Sequence, residues 1–160
     1  VQVESEDLRY PKAWGLPSLR DAIARYYRTS YGSNISADNI MVFAGGRPAI
    51  AALLLFLDSD IVIRIAETEY TPYFDLLKCL RREYSLVDSS VDNVFKPPVA
   101  SYANDSITGR TLMMLSNPCN PTGVTRTGAD LKSLVNATNA DRGLLVDEAY
   151  ELFHDELVAP

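Results

Sequence analysis

Thr111-Leu112-Met113-Met114-Leu115-Ser116-Asn117-Pro118-Cys119-Asn120-Pro121-Thr122-Gly123 decides how this chain is read. Thr111 to Ser116 is a short apolar run of the length expected for a buried strand. Two Asn-Pro pairs follow at once. Asn-Pro is a turn former, and a doubled pair makes a stiff, sharply bent segment. Such a turn brings one asparagine side chain to a fixed place at the carboxyl end of the strand. The Asn120 amide can donate there to a phenolate-type oxygen, and a cis bond at Asn120–Pro121 suits so tight a turn. The same residues also read as a plain loop.

Working outward, strands alternate with helices. Asp60 to Ala66 and Leu144 to Asp147 are apolar strand-like runs, Ser85 to Val87 is a shorter one, and Ile40 to Ala44 reads as a buried strand. Helices are expected from Pro17-Ser18 to about Ser30 with Gly32 as its cap, from Arg47 to Leu57, from Thr71 to about Tyr84, and from Gly128 to Thr138. Val91 to Arg110 is rich in Pro, Ser, Asn and Asp and has no clear periodicity. Strands apolar nearly throughout suit a parallel sheet covered on both faces. The fold expected is therefore α/β, a three-layer sandwich with a mostly parallel sheet.

In such sheets, ligands bind beyond the carboxyl ends of the strands. Besides Asn120, three other strand ends carry candidate residues. Gly45-Gly46-Arg47-Pro48 joins the Ile40–Ala44 run to a helix, and the free N–H groups of a helix start suit a phosphate. It reads equally as a tight turn with a surface arginine. Tyr70-Thr71-Pro72-Tyr73 places a flat ring where it could stack on another, or where two tyrosines simply pack. Asp147 follows three apolar residues. Its carboxylate needs a cation such as a protonated ring nitrogen, or else Asp147 and Glu148 favour the start of a helix. Tyr150, three residues on, can reach the same place if the chain turns helically.

A length of 160 residues fits one domain, 1–160, and 47% hydrophobic with 22% charged residues is ordinary for a globular protein. The net charge of −6 argues against a nucleic-acid partner. The richest apolar stretch, Ile50 to Leu57, is far shorter than the roughly 20 residues of a membrane span. Val1 to Asp7 is polar and acidic, without signal-peptide character. Cys79 and Cys119 make neither a disulfide framework nor a metal spacing, so no metal is expected and a reduced, cytoplasmic setting is. The one histidine, His154, reads as a surface or packing residue.

Together, the Ser116–Gly123 segment and Asp147-Glu148-Ala149-Tyr150, which begins twenty-four residues after Gly123, resemble the signature of the class I/II aminotransferases. These are fold-type I, aspartate-aminotransferase-like enzymes that use pyridoxal 5'-phosphate (PLP). The resemblance runs from about Leu8 to Phe153. It begins with Tyr10-Pro11-Lys12-Ala13-Trp14-Gly15-Leu16-Pro17-Ser18-Leu19-Arg20, similar to the family's opening. It implies a PLP-transferase large domain, incomplete in this chain.

It also implies roles. Asp147 would pair with the pyridine nitrogen, so that the ring acts as an electron sink. Asn120 and Tyr150 would hold the 3' oxygen, and Tyr70 would stack on the ring. Gly45, Gly46 and Arg47 would hold the phosphate. Tyr10 would reach the phosphate of a neighbouring subunit, since the family's sites lie at a homodimer interface. The implied reaction moves an amino group between an amino acid and a 2-oxo acid.

The sequence departs from the family at three points. The lysines are Lys12, Lys78, Lys96 and Lys132, so the family's Schiff-base lysine, which lies beyond the Asp147 segment, is absent, and the chain alone is expected to be inactive. The small domain with its usual substrate-carboxylate arginine is absent too. Thr68-Glu69 stand where the family has a proline before the stacking ring. Two other readings share these residues: a PLP-dependent lyase or synthase acting on an amino acid, and a non-catalytic aminotransferase-like sensor domain of a transcription regulator.

Overall fold

The computed structural model describes residues 3, 5, 8–10, 12–103 and 108–153. His154, and Pro11 of the opening segment, lie outside them. The chain divides into two compact units, Val1–Ala49 and Ile50–Val158.

In the first unit, α1 (Pro17–Tyr31) starts with Pro17, whose missing N–H costs nothing in a first turn. It ends at Gly32, which is left-handed at φ 63° and donates its N–H to the Arg28 carbonyl, as expected. Arg20 ties this helix to the segment after it. Its Nε donates to the Ile40 carbonyl at 2.9 Å and a terminal nitrogen donates to the Ala37 carbonyl. Its guanidinium also lies 5.8 Å from the centre of the Trp14 ring.

The strand expected at Ile40–Ala44 does not form. An apolar run becomes a strand only where an edge pairs with it. Here Arg20 takes the Ile40 carbonyl, and the Val42 N–H goes to Trp14. Gly15 lies against the same segment at φ +98°, where an added Cβ would come 2.7 Å from Cβ of Val42. A side chain there would be both strained and obstructed.

The second unit holds the sheet. Its strands are β1 (Val62–Ala66), β2 (Tyr84–Val87), β3 (Thr111–Ser116) and β4 (Arg142–Asp147), in the order β2-β1-β3-β4. Every pairing is parallel. The register of β3 with β4 runs from Thr111 opposite Arg142 to Ser116 opposite Asp147, so those two residues end side by side. All six residues of β3 are buried, which explains its unbroken apolar run.

Alternation along β3 builds two cores. Leu112 and Met114 join Ile63 and Ile65 of β1, Ile50 and Leu54 of α2 (Gly46–Phe56), and Tyr73 and Leu77 of α3 (Thr71–Cys79). Met113 and Leu115 join Ala66, Val87, Tyr102 of α4 (Val99–Tyr102) and Leu134 of α5 (Gly128–Asn136). Helices thus cover both faces, giving the three layers expected. Arg64, on the second face of β1, is buried among apolar residues. It is satisfied by the Ser85 hydroxyl at 2.6 Å and by the carbonyls of Ser101 and Tyr102.

Several boundaries differ from those expected: β1 starts at Val62 rather than Asp60, β2 at Tyr84 rather than Ser85, and α5 ends at Asn136 rather than Thr138. α3 stops at Cys79 rather than near Tyr84, because Arg81 turns left-handed at φ 52° and Tyr84 already belongs to β2. β4 starts at Arg142, two residues before its apolar part. Among the described residues no helix is long and apolar enough to cross a membrane.

Candidate functional site

The carboxyl ends of β1, β3 and β4 carry the candidate residues of the second unit. At the end of β4, Asp147 is half-buried. Its Oδ2 accepts the Tyr73 hydroxyl at 2.5 Å, and its Oδ1 accepts the Ala149 N–H at 3.0 Å. The Tyr73 ring is buried, and its hydroxyl pKa is raised well above the ordinary tyrosine value. Burial is the main cause, followed by the bond to the Asp147 carboxylate. Tyr73 therefore stays a neutral donor. The sequence offered no partner for Asp147; Tyr73 is that partner, supplied by the first turn of α3.

Tyr70, at the N-cap of α3, meets Tyr73 edge to face, with ring centres 5.3 Å apart. One turn thus carries both the ring proposed for stacking and the hydroxyl that holds Asp147. The Tyr73 ring is a packing residue, as the sequence allowed, while its hydroxyl bonds Asp147.

The doubled Asn-Pro segment divides its labour. Both Asn117–Pro118 and Asn120–Pro121 are cis. Asn117 is buried, and its amide clamps the returning chain: Nδ2 donates to the Arg126 carbonyl at 3.0 Å, and Oδ1 accepts the Arg126 N–H at 2.7 Å. The Asn117 N–H itself donates to the Asp147 carbonyl. Asn120 is half-buried, and its Nδ2 lies 3.3 Å from the hydroxyl of exposed Tyr150. Asn120 and Tyr150 are thus brought together, beside the segment that carries Asp147.

Glu69, which the sequence reading passed over except as a departure, is buried at 5% exposure. Its Oε2 accepts both the Ser116 hydroxyl at 2.6 Å and the Ser116 N–H at 3.1 Å. Burial raises its pKa, and these hydrogen bonds oppose the rise only in part. Glu148 is also raised, by burial first and then by the Asp147 charge. The signal available in the sequence was the acid itself, standing directly before Tyr70 where the family has a proline.

The remaining candidates belong to the first unit. Gly45 is left-handed at φ 112° and precedes the first turn of α2, where Gly46, Arg47 and Pro48 follow. Gly45, Gly46 and Arg47 are exposed, and Tyr10 is fully exposed.

A parallel sheet with helices on both faces, with an acid, an amide and a phenol gathered at its carboxyl edge, makes an α/β domain of the PLP-transferase type. The family described as aminotransferase class I and II matches residues 2–158, and the chain belongs to it. It is 29% identical over 144 residues to an asparagine–oxo-acid transaminase of Streptococcus mutans, covering 88% of this chain and 36% of that protein. It is 28% identical over 149 residues to an aspartate aminotransferase of Sulfolobus acidocaldarius, covering 90% of this chain and 37% of that one. The structure of Thermus thermophilus aspartate aminotransferase with maleate superposes with a TM-score of 0.81 at 25% identity, covering 89% of this chain and 38% of that one. The chain therefore spans little more than a third of the length of these relatives.

Proposed function

We propose that this chain forms part of the PLP site of an aminotransferase that moves an amino group between an amino acid and a 2-oxo acid. The observation that carries the reading is Asp147, held at a strand end by Tyr73 and the Ala149 N–H. The donor set fits PLP. Each Asp147 oxygen has one protein donor and keeps lone-pair capacity for a ring N–H. Asn120 and Tyr150, 3.3 Å apart, can each turn a donor, an N–H and an O–H, to one phenolate oxygen.

PLP, when bound, supplies the electron sink that amino-group chemistry needs. The chain's own residues bind and orient it. Asp147 keeps a proton on the ring nitrogen because a carboxylate favours the charged partner. Tyr73 keeps that carboxylate aimed by donating to its Oδ2. Asn120 and Tyr150 hold the 3' oxygen, and Tyr70 covers a ring face. Gly45, Gly46 and Arg47, at the start of α2, suit the phosphate, because free N–H groups and the helix dipole there favour an anion. Tyr10 reaches the phosphate of a second copy in a homodimer. The chain is read as one partial cofactor-binding domain of a cytoplasmic enzyme. None of the lysines in these 160 residues follows Asp147, so the contacts named here are non-covalent ones.

The test uses the full-length protein that contains this chain, loaded with PLP and given amino acids with 2-oxoglutarate or pyruvate. Formation of the donor's 2-oxo acid together with glutamate or alanine supports the reading. Loss of a donor side-chain group or ring closure without amino exchange would replace it with a lyase or synthase. PLP binding without turnover on any amino acid would replace it with a sensor domain.

A further inference from the structure

We propose that Glu69 is a positioning residue that fixes Asn120, and with it the hydrogen bond to the 3' oxygen of the cofactor, through Ser116. This rests on the PLP reading above. The chain of contacts is continuous. Glu69 Oε2 accepts the Ser116 hydroxyl at 2.6 Å and the Ser116 N–H at 3.1 Å. The Ser116 Oγ in turn accepts the backbone N–H of Asn120 at 3.2 Å. The Asn120 Nδ2 lies 3.3 Å from the Tyr150 hydroxyl.

The direction of each bond matters. Ser116 has one hydroxyl proton, and giving it to Glu69 turns the oxygen's lone pairs toward Asn120. Without an acceptor at Glu69, that hydroxyl is free to rotate, and the Asn120 N–H loses an oriented partner. An acceptor that is charged or strongly polar also strengthens the bonds that follow in such a chain.

Position in the fold gives the contact reach. Glu69 sits in the bend between β1 and Tyr70, and Ser116 is the last residue of β3. One side chain thus fastens the segment that carries the stacking ring to the segment that carries Asn120. Among the described residues no cation bonds the Glu69 carboxylate, and burying a carboxylate without one is costly; what Glu69 holds is Ser116.

The experiment compares the wild-type full-length protein with Glu69→Ala, Glu69→Gln and Ser116→Ala. The first readout, in the protein without PLP, is hydrogen exchange of the Asn120 amide. Glu69→Ala and Ser116→Ala are each expected to speed it about tenfold, the ratio equivalent to one ordinary hydrogen bond between neutral groups. Glu69→Gln keeps a carbonyl acceptor for both Ser116 donors and is expected to restore protection.

The second readout is the pH dependence of the absorbance of bound PLP. It is expected to shift in Glu69→Ala and to return toward wild type in Glu69→Gln. Asn120 exchange unchanged in folded Glu69→Ala and Ser116→Ala overturns the proposal. So does a Gln variant no better than the Ala variant. If Glu69→Ala does not fold, Ser116→Ala and Glu69→Gln decide alone. Failure of the PLP reading is separate: no variant, nor the wild type, would bind PLP, while the exchange result would stand on its own.

Discussion

Tyr73 donates its hydroxyl to Oδ2 of Asp147 at 2.5 Å, tying the first turn of α3 to the end of β4. Tyr73→Phe keeps the buried ring and deletes only this donor. Because Asp147 is half-buried, water restores part of the loss, and a cost of about 1–2 kcal/mol is expected from urea denaturation at neutral pH. The folded-state pKa of Tyr73 lies above the ordinary tyrosine value of 10.0, so the hydroxyl's contribution is full below that value. It is lost as pH rises through the higher folded value. The gap between wild type and variant should therefore narrow only at strongly alkaline pH. An unchanged urea midpoint at neutral pH would show that the bond does not hold in solution.

The two asparagines of the doubled Asn-Pro segment should separate stability from binding. Asn117→Ala leaves the N–H and carbonyl of Arg126 without their buried partners and should cost about 2 kcal/mol or more. Asn120→Ala removes a half-buried amide whose side chain faces Tyr150, and should change stability by less than about 1 kcal/mol. In the full-length protein it should instead weaken PLP binding. Equal losses of stability in both variants would contradict this division.

That division also marks how far the sequence could be read. The run Thr111–Ser116 and the residues at its end were legible, because an apolar strand followed by two Asn-Pro pairs has few physical alternatives. Which asparagine faces the site was not legible from periodicity, since both precede a proline. Arg126, nine residues away, returns to satisfy Asn117, while Asn120 lies beside Tyr150. Asp147 was legible as a carboxylate at the mouth of a strand, while its partner Tyr73 lies seventy-four residues earlier and is a tertiary fact. The strand expected at Ile40–Ala44 failed for the same kind of reason. Its composition suits a strand, yet Arg20 and Trp14 take the backbone groups that a ladder would need.

Glu69 predicts a particular pH dependence of stability. Burial raises its folded pKa above the ordinary glutamate value of 4.5, so the folded state holds the proton more tightly than the unfolded chain does. Stability is then unpenalised below the unfolded value and falls as pH rises through the folded one. Glu69→Gln keeps an acceptor for Ser116 and has no charge to bury. Its stability relative to wild type should therefore be about equal near pH 4 and should increase toward neutral pH, measured by urea denaturation at each pH. A variant less stable than wild type at neutral pH, with no difference in acid, would mean that Glu69 is stabilised as an anion.

Asp147 gives the sharpest functional prediction. Asp147→Asn retains an acceptor for Tyr73 and nearly the same shape, so the fold should persist by circular dichroism. It removes the charge that would keep a ring nitrogen protonated. In the full-length protein, PLP binding should weaken, and turnover should fall by about 10²–10³-fold, the range for losing one preorganised electrostatic contact. Since Glu148 is half-buried and its own pKa is raised in part by Asp147, Asn at 147 should also let Glu148 ionise at lower pH. Carboxyl NMR titration reads that shift without any cofactor. A variant with wild-type turnover would remove the ring-nitrogen role, whereas a Glu148 titration that does not move would show that the two carboxyls do not sense each other.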